Sequence, residues 1–312
     1  MLLAYIFPGQ GSQYVGMGKS LFDKYDFVRE IFETADRALG FALTELIFEG
    51  PADELQKTIN AQPAILTASI AMHELIKKAG IRPAAAAGHS LGEYSALVAA
   101  GAIDFGDAVR LVRMRGQFMQ EAVPLGHGGM MAVLGLTPEQ VEEGCRLAAQ
   151  AGTVEAANFN CPGQVVVAGE NQALKKAQEI FKSMGARRCI LLQVSAPFHS
   201  SMMTPAGERL VAELARVEIT DPAIPVVANI NADYVTTAQQ VRDALIRQVS
   251  GPVMWEQSIR RLIADGYNMF VEVGPGQVLT GLLKKINKQS QFINFNGEGE
   301  PEQIIARLKE AV

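Results

Sequence analysis

Apolar positions near the start of the chain fall in short runs separated by helix-spaced patterns, the alternation expected of strands and helices taking turns. Residues 2–7, LLAYIF, are an unbroken apolar run of strand length that stops at Pro8-Gly9. A run with no polar alternation predicts a strand covered on both faces. Residues 61–79 predict a helix. Residues 84–87 are four alanines between Pro83 and Gly88; alanine favours helix, so a strand here is read from its place before a glycine turn. From residue 126 the rhythm changes: strand 129–135, helix 138–149, strands 153–158 and 164–168, helix 171–184, strand 187–194. That βαββαβ order is ferredoxin-like. Strands at 225–230 and 269–273 then resume the first pattern, with Gly274-Pro275-Gly276 turning the second into a helix over 278–286. The reading is an α/β chain with a large unit of residues 1–125 and 196–312 and a small inserted unit of residues 126–195.

Composition narrows the class of protein more than it identifies it. The 312 residues are 48% hydrophobic and 20% charged, ordinary for a globular chain with a sizeable core. A net charge of −5 argues against a general nucleic-acid binder. Cys145, Cys161 and Cys189 are odd in number and form no C-x-x-C pair. Reduced thiols in the cytoplasm are therefore expected, with no disulfide framework and no structural zinc. The first apolar run is too short for a signal peptide and has no basic residue before it. No run approaches the ~18 apolar residues of a membrane span.

The chemistry centres on Gly88-His89-Ser90-Leu91-Gly92. A G-x-S-x-G between a strand and a helix places the serine on a sharp turn at a helix N-terminus, where backbone N–H groups face the reacting oxygen. The same five residues also suit a plain glycine-rich turn. Ser90 as nucleophile needs a base, and the histidines are His73, His89, His127 and His199. His73 lies within a predicted helix, His89 points away from its neighbour on an extended turn, and His127 lies in a glycine-rich loop. His199, in a proline-containing loop just after the inserted unit, leads by elimination. No acid stands out as a third member, but a carbonyl oxygen suffices to hold an imidazole in one tautomer. In the helix predicted over 109–123, Arg115 falls on the apolar stripe with Leu111, Phe118 and Met119. A buried guanidinium calls for an anionic partner. That partner is an internal carboxylate or a substrate's own, unless the head group reaches solvent along its stem. The glycines of residues 7–20 invite a phosphate-binding reading. A P-loop ending at Gly18-Lys19-Ser20 would need glycine where Gln13 stands, and a dinucleotide fingerprint would need one where Tyr14 stands. Both fail, leaving this turn to supply a second N–H to an oxyanion.

Six motifs in order resemble the malonyl-CoA:acyl carrier protein transacylase family: FPGQGSQ (7–13), GHSLGEYSAL (88–97), MRGQFMQ (114–120), NFNCPGQVVVAG (158–169), PFHS (197–200) and EVGPG (272–276). The resemblance spans roughly residues 4–285. It implies an α/β-hydrolase-like core with an inserted ferredoxin-like subdomain, and a ping-pong transfer of malonyl from CoA, through Ser90, to the phosphopantetheine thiol of a carrier protein. It further implies His199 as base, the N–H groups of Gln10 and Leu91 as oxyanion hole, Arg115 on the malonyl carboxylate and the Gln248 carbonyl orienting His199. Gln62 matches an active-site glutamine of relatives, and Phe198 is the residue expected to crowd an α-methyl branch. No tightly bound cofactor and no metal are implied; the partners are malonyl-CoA and a transiently docked acyl carrier protein, with the enzyme a monomer. Arg187-Arg188 and Lys284-Lys285 are candidates for meeting an acidic carrier. A serine esterase would share Ser90 and His199 but have no use for a buried cation at the acyl end.

Overall fold

The computed structural model describes residues 2–311. Ten strands form two sheets: β1 (Leu2–Phe7), β2 (Ala85–Gly88), β3 (Gly128–Leu134), β4 (Val154–Cys161), β5 (Gln164–Glu170), β6 (Arg188–Leu191), β7 (Val226–Val227), β8 (Tyr234–Val235), β9 (Tyr267–Val273) and β10 (Gln291–Phe295). The larger sheet runs β10-β9-β1-β2-β7-β8 and is parallel except for the β7–β8 pair. The smaller runs β4-β5-β3-β6 and is antiparallel throughout. In chain order that is second, third, first, fourth, the ferredoxin-like arrangement.

β1 is buried on both faces: Leu3, Tyr5 and Phe7 pack into one core, Ala4 and Ile6 into the other. This is why its sequence shows no alternation. Three of the four alanines form a strand, Ala85–Gly88, with Ala86 on one side and Ala85 and Ala87 on the other, between β1 and β7; Ala84 precedes it. Burial at the centre of a parallel sheet outweighs alanine's helical preference there. The helix expected over 61–79 runs Thr58–Lys78 and is buried almost all round. The one expected over 109–123 runs Phe105–Glu121, starting earlier because Asp104 caps it by accepting from the N–H of Gly106 at 2.8 Å.

Two strands are shorter than the apolar pattern predicts. The strand expected over 187–194 holds only Arg188–Leu191, and residues 192–194 leave the sheet to line the cavity. The strand expected over 225–230 holds only Val226–Val227. Beyond it the chain turns, with the Ala232 N–H donating to the Ala228 carbonyl and Ala232 at φ 54°. That turn carries Asn229. No helix among the described residues is long and apolar enough to cross a membrane.

Candidate active site

β2 delivers the chain into a turn at His89-Ser90, after which helix Gly92–Ala99 begins. Ser90 sits at φ 51°, the left-handed region that a residue with a Cβ enters only under tertiary constraint. The turn is tight enough that a Cβ on Gly88 would lie 1.9 Å from the backbone of Gly92. The turn after β1 packs against it equally closely: a Cβ on Gly9 would meet the His89 carbonyl oxygen at 2.4 Å. Gln10 and Leu91 thus line the same cavity as Ser90, and the backbone N–H of each has no protein partner among the described residues. The cavity, of about 430 Å³, lies between the two sheets.

Ser90 Oγ is 2.6 Å from His199 Nε2. His199 is also at positive φ, 61°, and buried. Its Nδ1 faces two carbonyl oxygens, Gln248 at 3.0 Å and Gly251 at 3.2 Å. Carbonyls only accept, so Nδ1 carries the proton and Nε2 offers its lone pair to the Ser90 hydroxyl. Burial, reinforced by the Arg115 charge, pushes this imidazole down to about 3, which keeps it neutral, with the Nε2 lone pair free, at ordinary pH.

Arg115 is 1% exposed. Its Nη1 donates to Gln62 Oε1 at 2.7 Å; its Nη2 donates to Gln248 Oε1 at 2.9 Å and to Ser90 Oγ at 3.2 Å. Its Nε has no partner, and no carboxylate pairs with it directly among the described residues. The guanidinium is therefore buried beside the hydroxyl among neutral acceptors, with donor capacity to spare. Phe198, 5% exposed, lines the same cavity.

The other histidines stand apart. His89 turns its Nε2 to Asn160 Oδ1 at 2.8 Å, across to the smaller sheet, and rests edge-on to Trp255. His73 is buried against the Tyr5 and Phe7 rings, and burial pushes it down to about 4. His127 is exposed and outside the cavity. Lys19 pairs with Asp23 on the surface, as a residue of the first helix rather than of a phosphate cradle. Arg187, Arg188, Lys284 and Lys285 are all exposed, and Lys285 Nζ reaches Gln164, a lining residue, at 3.5 Å.

Sequence reasoning missed the layer beneath the pair. Asn229 Oδ1 accepts from the Ser90 N–H at 2.6 Å, while its Nδ2 donates to the Gly88 carbonyl at 2.6 Å, so one side chain braces both sides of the turn. The Gln248 side chain, not only its carbonyl, belongs to the site: Nε2 donates to the Ser90 carbonyl at 2.9 Å and to Glu93 Oε2 at 2.8 Å. The available signals were an asparagine inside an apolar run and a glutamate in an otherwise apolar helix.

The acyl transferase domain family matches residues 4–311. A Bacillus subtilis (strain 168) protein called malonyl CoA-acyl carrier protein transacylase is 48% identical over 309 residues, covering 99% of this chain and 98% of its own. The crystal structure of an acyl-carrier-protein S-malonyltransferase from Burkholderia pseudomallei 1710b superposes with a TM-score of 0.95 at 47% identity, covering 99% of this chain and 100% of that one. A malonyl-transacylase solved in complex with its type II PKS acyl-carrier protein superposes with a TM-score of 0.95 at 41% identity, with coverage of 99% and 100%.

Proposed function

The chain belongs to the acyl transferase family, among its malonyl-CoA:acyl carrier protein transacylases, and from that membership we propose how its residues share the reaction. The enzyme moves malonyl from CoA to the phosphopantetheine thiol of an acyl carrier protein, the chemistry of fatty-acid biosynthesis. As Ser90 Oγ attacks the thioester carbonyl, His199 Nε2 takes the hydroxyl proton. The oxyanion of the tetrahedral intermediate is received by the N–H groups of Gln10 and Leu91. Collapse breaks the carbon–sulfur bond, and the departing CoA sulfur takes the proton back from His199. The carrier's thiol then repeats the sequence in reverse on the malonyl-serine ester.

The observation that carries this reading is the 3.2 Å between Arg115 Nη2 and Ser90 Oγ. A malonyl ester keeps its free carboxylate two carbon–carbon bonds from the ester carbon, so its countercharge has to stand beside the nucleophile. Arg115 does, buried and without an ion-pair partner, and a guanidinium fork suits a carboxylate. Gln62 and Gln248 hold the fork, and Phe198 crowds a branch at the α-carbon. An esterase serving uncharged acyl groups would leave this cation unused. The scheme needs no resident cofactor or metal. Residues 126–195 form the small inserted unit, the exposed Arg187, Arg188, Lys284 and Lys285 meet the acidic carrier, and the enzyme works as a cytoplasmic monomer.

Intact mass after incubation with malonyl-CoA, followed by phosphopantetheinylated carrier protein, tests the scheme. A malonyl adduct on Ser90 that moves to the carrier is expected. Acylation of a Ser90→Ala protein would overturn the mechanism, and adduct loss at the same rate without carrier would make the enzyme a hydrolase.

A further inference from the structure

Glu93 lies beneath the active site, 1% exposed and outside the cavity wall, at the start of the helix that follows Ser90. One oxygen, Oε2, accepts from the backbone N–H of Asn229 at 2.9 Å and from Gln248 Nε2 at 2.8 Å. The other, Oε1, has no partner. A single carboxylate oxygen thereby joins the turn after β7 to the end of helix Ala238–Ser250. The Gln248 amide is held one way round: its carbonyl faces the Arg115 guanidinium, and its two N–H bonds face the Ser90 carbonyl and Glu93. Turned over, it would set N–H against N–H and oxygen against oxygen at every contact.

We infer that Glu93 is a positioning residue for substrate selection, holding the Gln248 amide so that its carbonyl fixes the Arg115 fork in the orientation that receives the substrate's carboxylate. The inference rests on the malonyl reading of Arg115. It separates the roles of two contacts: Asn229 braces the nucleophile turn through its side chain and serves any acyl group, whereas the side-chain carbonyl of Gln248 acts on Arg115 and serves only acyl groups carrying a carboxylate. Both hydrogen bonds use one oxygen, so a glutamine at position 93 can keep them with its own carbonyl. Burial pushes the Glu93 carboxyl up to about 7, against the hydrogen bonds from Asn229 and Gln248 and the Arg115 charge.

The test compares Glu93→Gln, which keeps reach, with Glu93→Asp, which keeps the acid but withdraws it by one methylene. The readouts are kcat/KM for Ser90 acylation by malonyl-CoA and by acetyl-CoA, alongside thermal melting. The glutamine variant should hold the malonyl-to-acetyl ratio within about threefold of wild type, and the aspartate variant should lower it about tenfold, chiefly through a higher KM for malonyl-CoA. Glu93→Ala is a second shortened variant, read in the same way. An unchanged ratio in the shortened variants, or their failure to fold while the glutamine variant folds, makes Glu93 purely structural and overturns the inference. A glutamine variant that falls as far as aspartate assigns the effect to charge and also overturns it. Wild-type enzyme run in parallel keeps the outcomes separate, since failure to take malonyl there would refute the function itself.

Discussion

Replacing Arg115 with alanine removes a buried cation whose direct partners are Gln62, Gln248 and the Ser90 hydroxyl, all uncharged. For malonyl-CoA the substrate carboxylate would then enter a buried site with no countercharge. Breaking a buried charge pair from one side costs about 3–5 kcal/mol, so acylation should slow by roughly 10² to 10⁴-fold. Acetyl-CoA brings no carboxylate and loses only the 3.2 Å hydrogen bond to Oγ. With a charged donor that bond is worth about 1.5–3 kcal/mol, or a slowing of roughly 13- to 160-fold. The malonyl-to-acetyl ratio should therefore fall by about tenfold or somewhat more, measured as single-turnover formation of the Ser90 adduct by quenched mass spectrometry. Stability should drop as well, because the Gln62 and Gln248 carbonyl oxygens lose a buried donor at about 1–3 kcal/mol each. Melting curves at the assay temperature check that the variant stays folded. Arg115→Lys should recover only part of the ratio, since an ammonium has no fork. Equal losses for the two acyl groups would refute the assignment and leave Arg115 as a structural residue.

The His199 imidazole, pushed down by burial and by Arg115, stays neutral where a free imidazole is already protonated. The acid limb of kcat/KM for acetyl-CoA should accordingly lie below the ordinary value of about 6.5 and move up in Arg115→Ala; a limb above 6.5, or a downward move, contradicts this. Gly9→Ala places a methyl 2.4 Å from the backbone oxygen of His89, which forces the Gln10 turn away from Ser90. Loss of one oxyanion donor should lower kcat by about 10²–10³ for malonyl and acetyl alike, and an unchanged kcat would remove Gln10 from the scheme. Phe198→Ala should raise the use of methylmalonyl-CoA relative to malonyl-CoA by about tenfold or more in competition assays, as one methyl contact is worth about 1–3 kcal/mol; an unchanged ratio would place selectivity elsewhere.

Much of the architecture was legible because local signals coincided with tertiary needs. The unbroken run of β1 announced burial on both faces, and Gly88 and Gly92 bracketed a serine between strand and helix. Periodicity also set Arg115 on an apolar stripe, where the structure buries it. What periodicity reports is burial, however, and it carries no information about the partner. Glu93 stands in the first turn of a helix, a place where acids are ordinary and draw no notice. Asn229 read as one residue of an apolar strand expected over 225–230, although it stands 139 positions from the serine it contacts. The two shortened strands ended early for tertiary reasons: residues 192–194 leave the sheet to line the cavity, and residues 228–232 turn so that Asn229 meets the Ser90 turn.

Positive φ at Ser90 and His199 places backbone strain on both members of the reacting pair, and each is held by contacts from elsewhere in the chain. The Ser90 N–H is bound by Asn229 and its carbonyl by Gln248, while the imidazole of His199 is bound by the carbonyls of Gln248 and Gly251. Neither turn would keep this geometry on local preference, since an isolated residue with a Cβ leaves the left-handed region. Gln248 joins the two systems, its backbone serving the base and its amide serving both the nucleophile's turn and Arg115. A disturbance at Gln248 therefore reaches base, nucleophile and carboxylate clamp at once, whereas one at the Asn229 side chain reaches mainly the nucleophile's turn. In the proposed scheme, selectivity for the acyl group and the power to transfer it are thus held by neighbouring but separable contacts. That separation is what allows the malonyl-to-acetyl ratio to distinguish a residue that positions the clamp from one that keeps the turn folded.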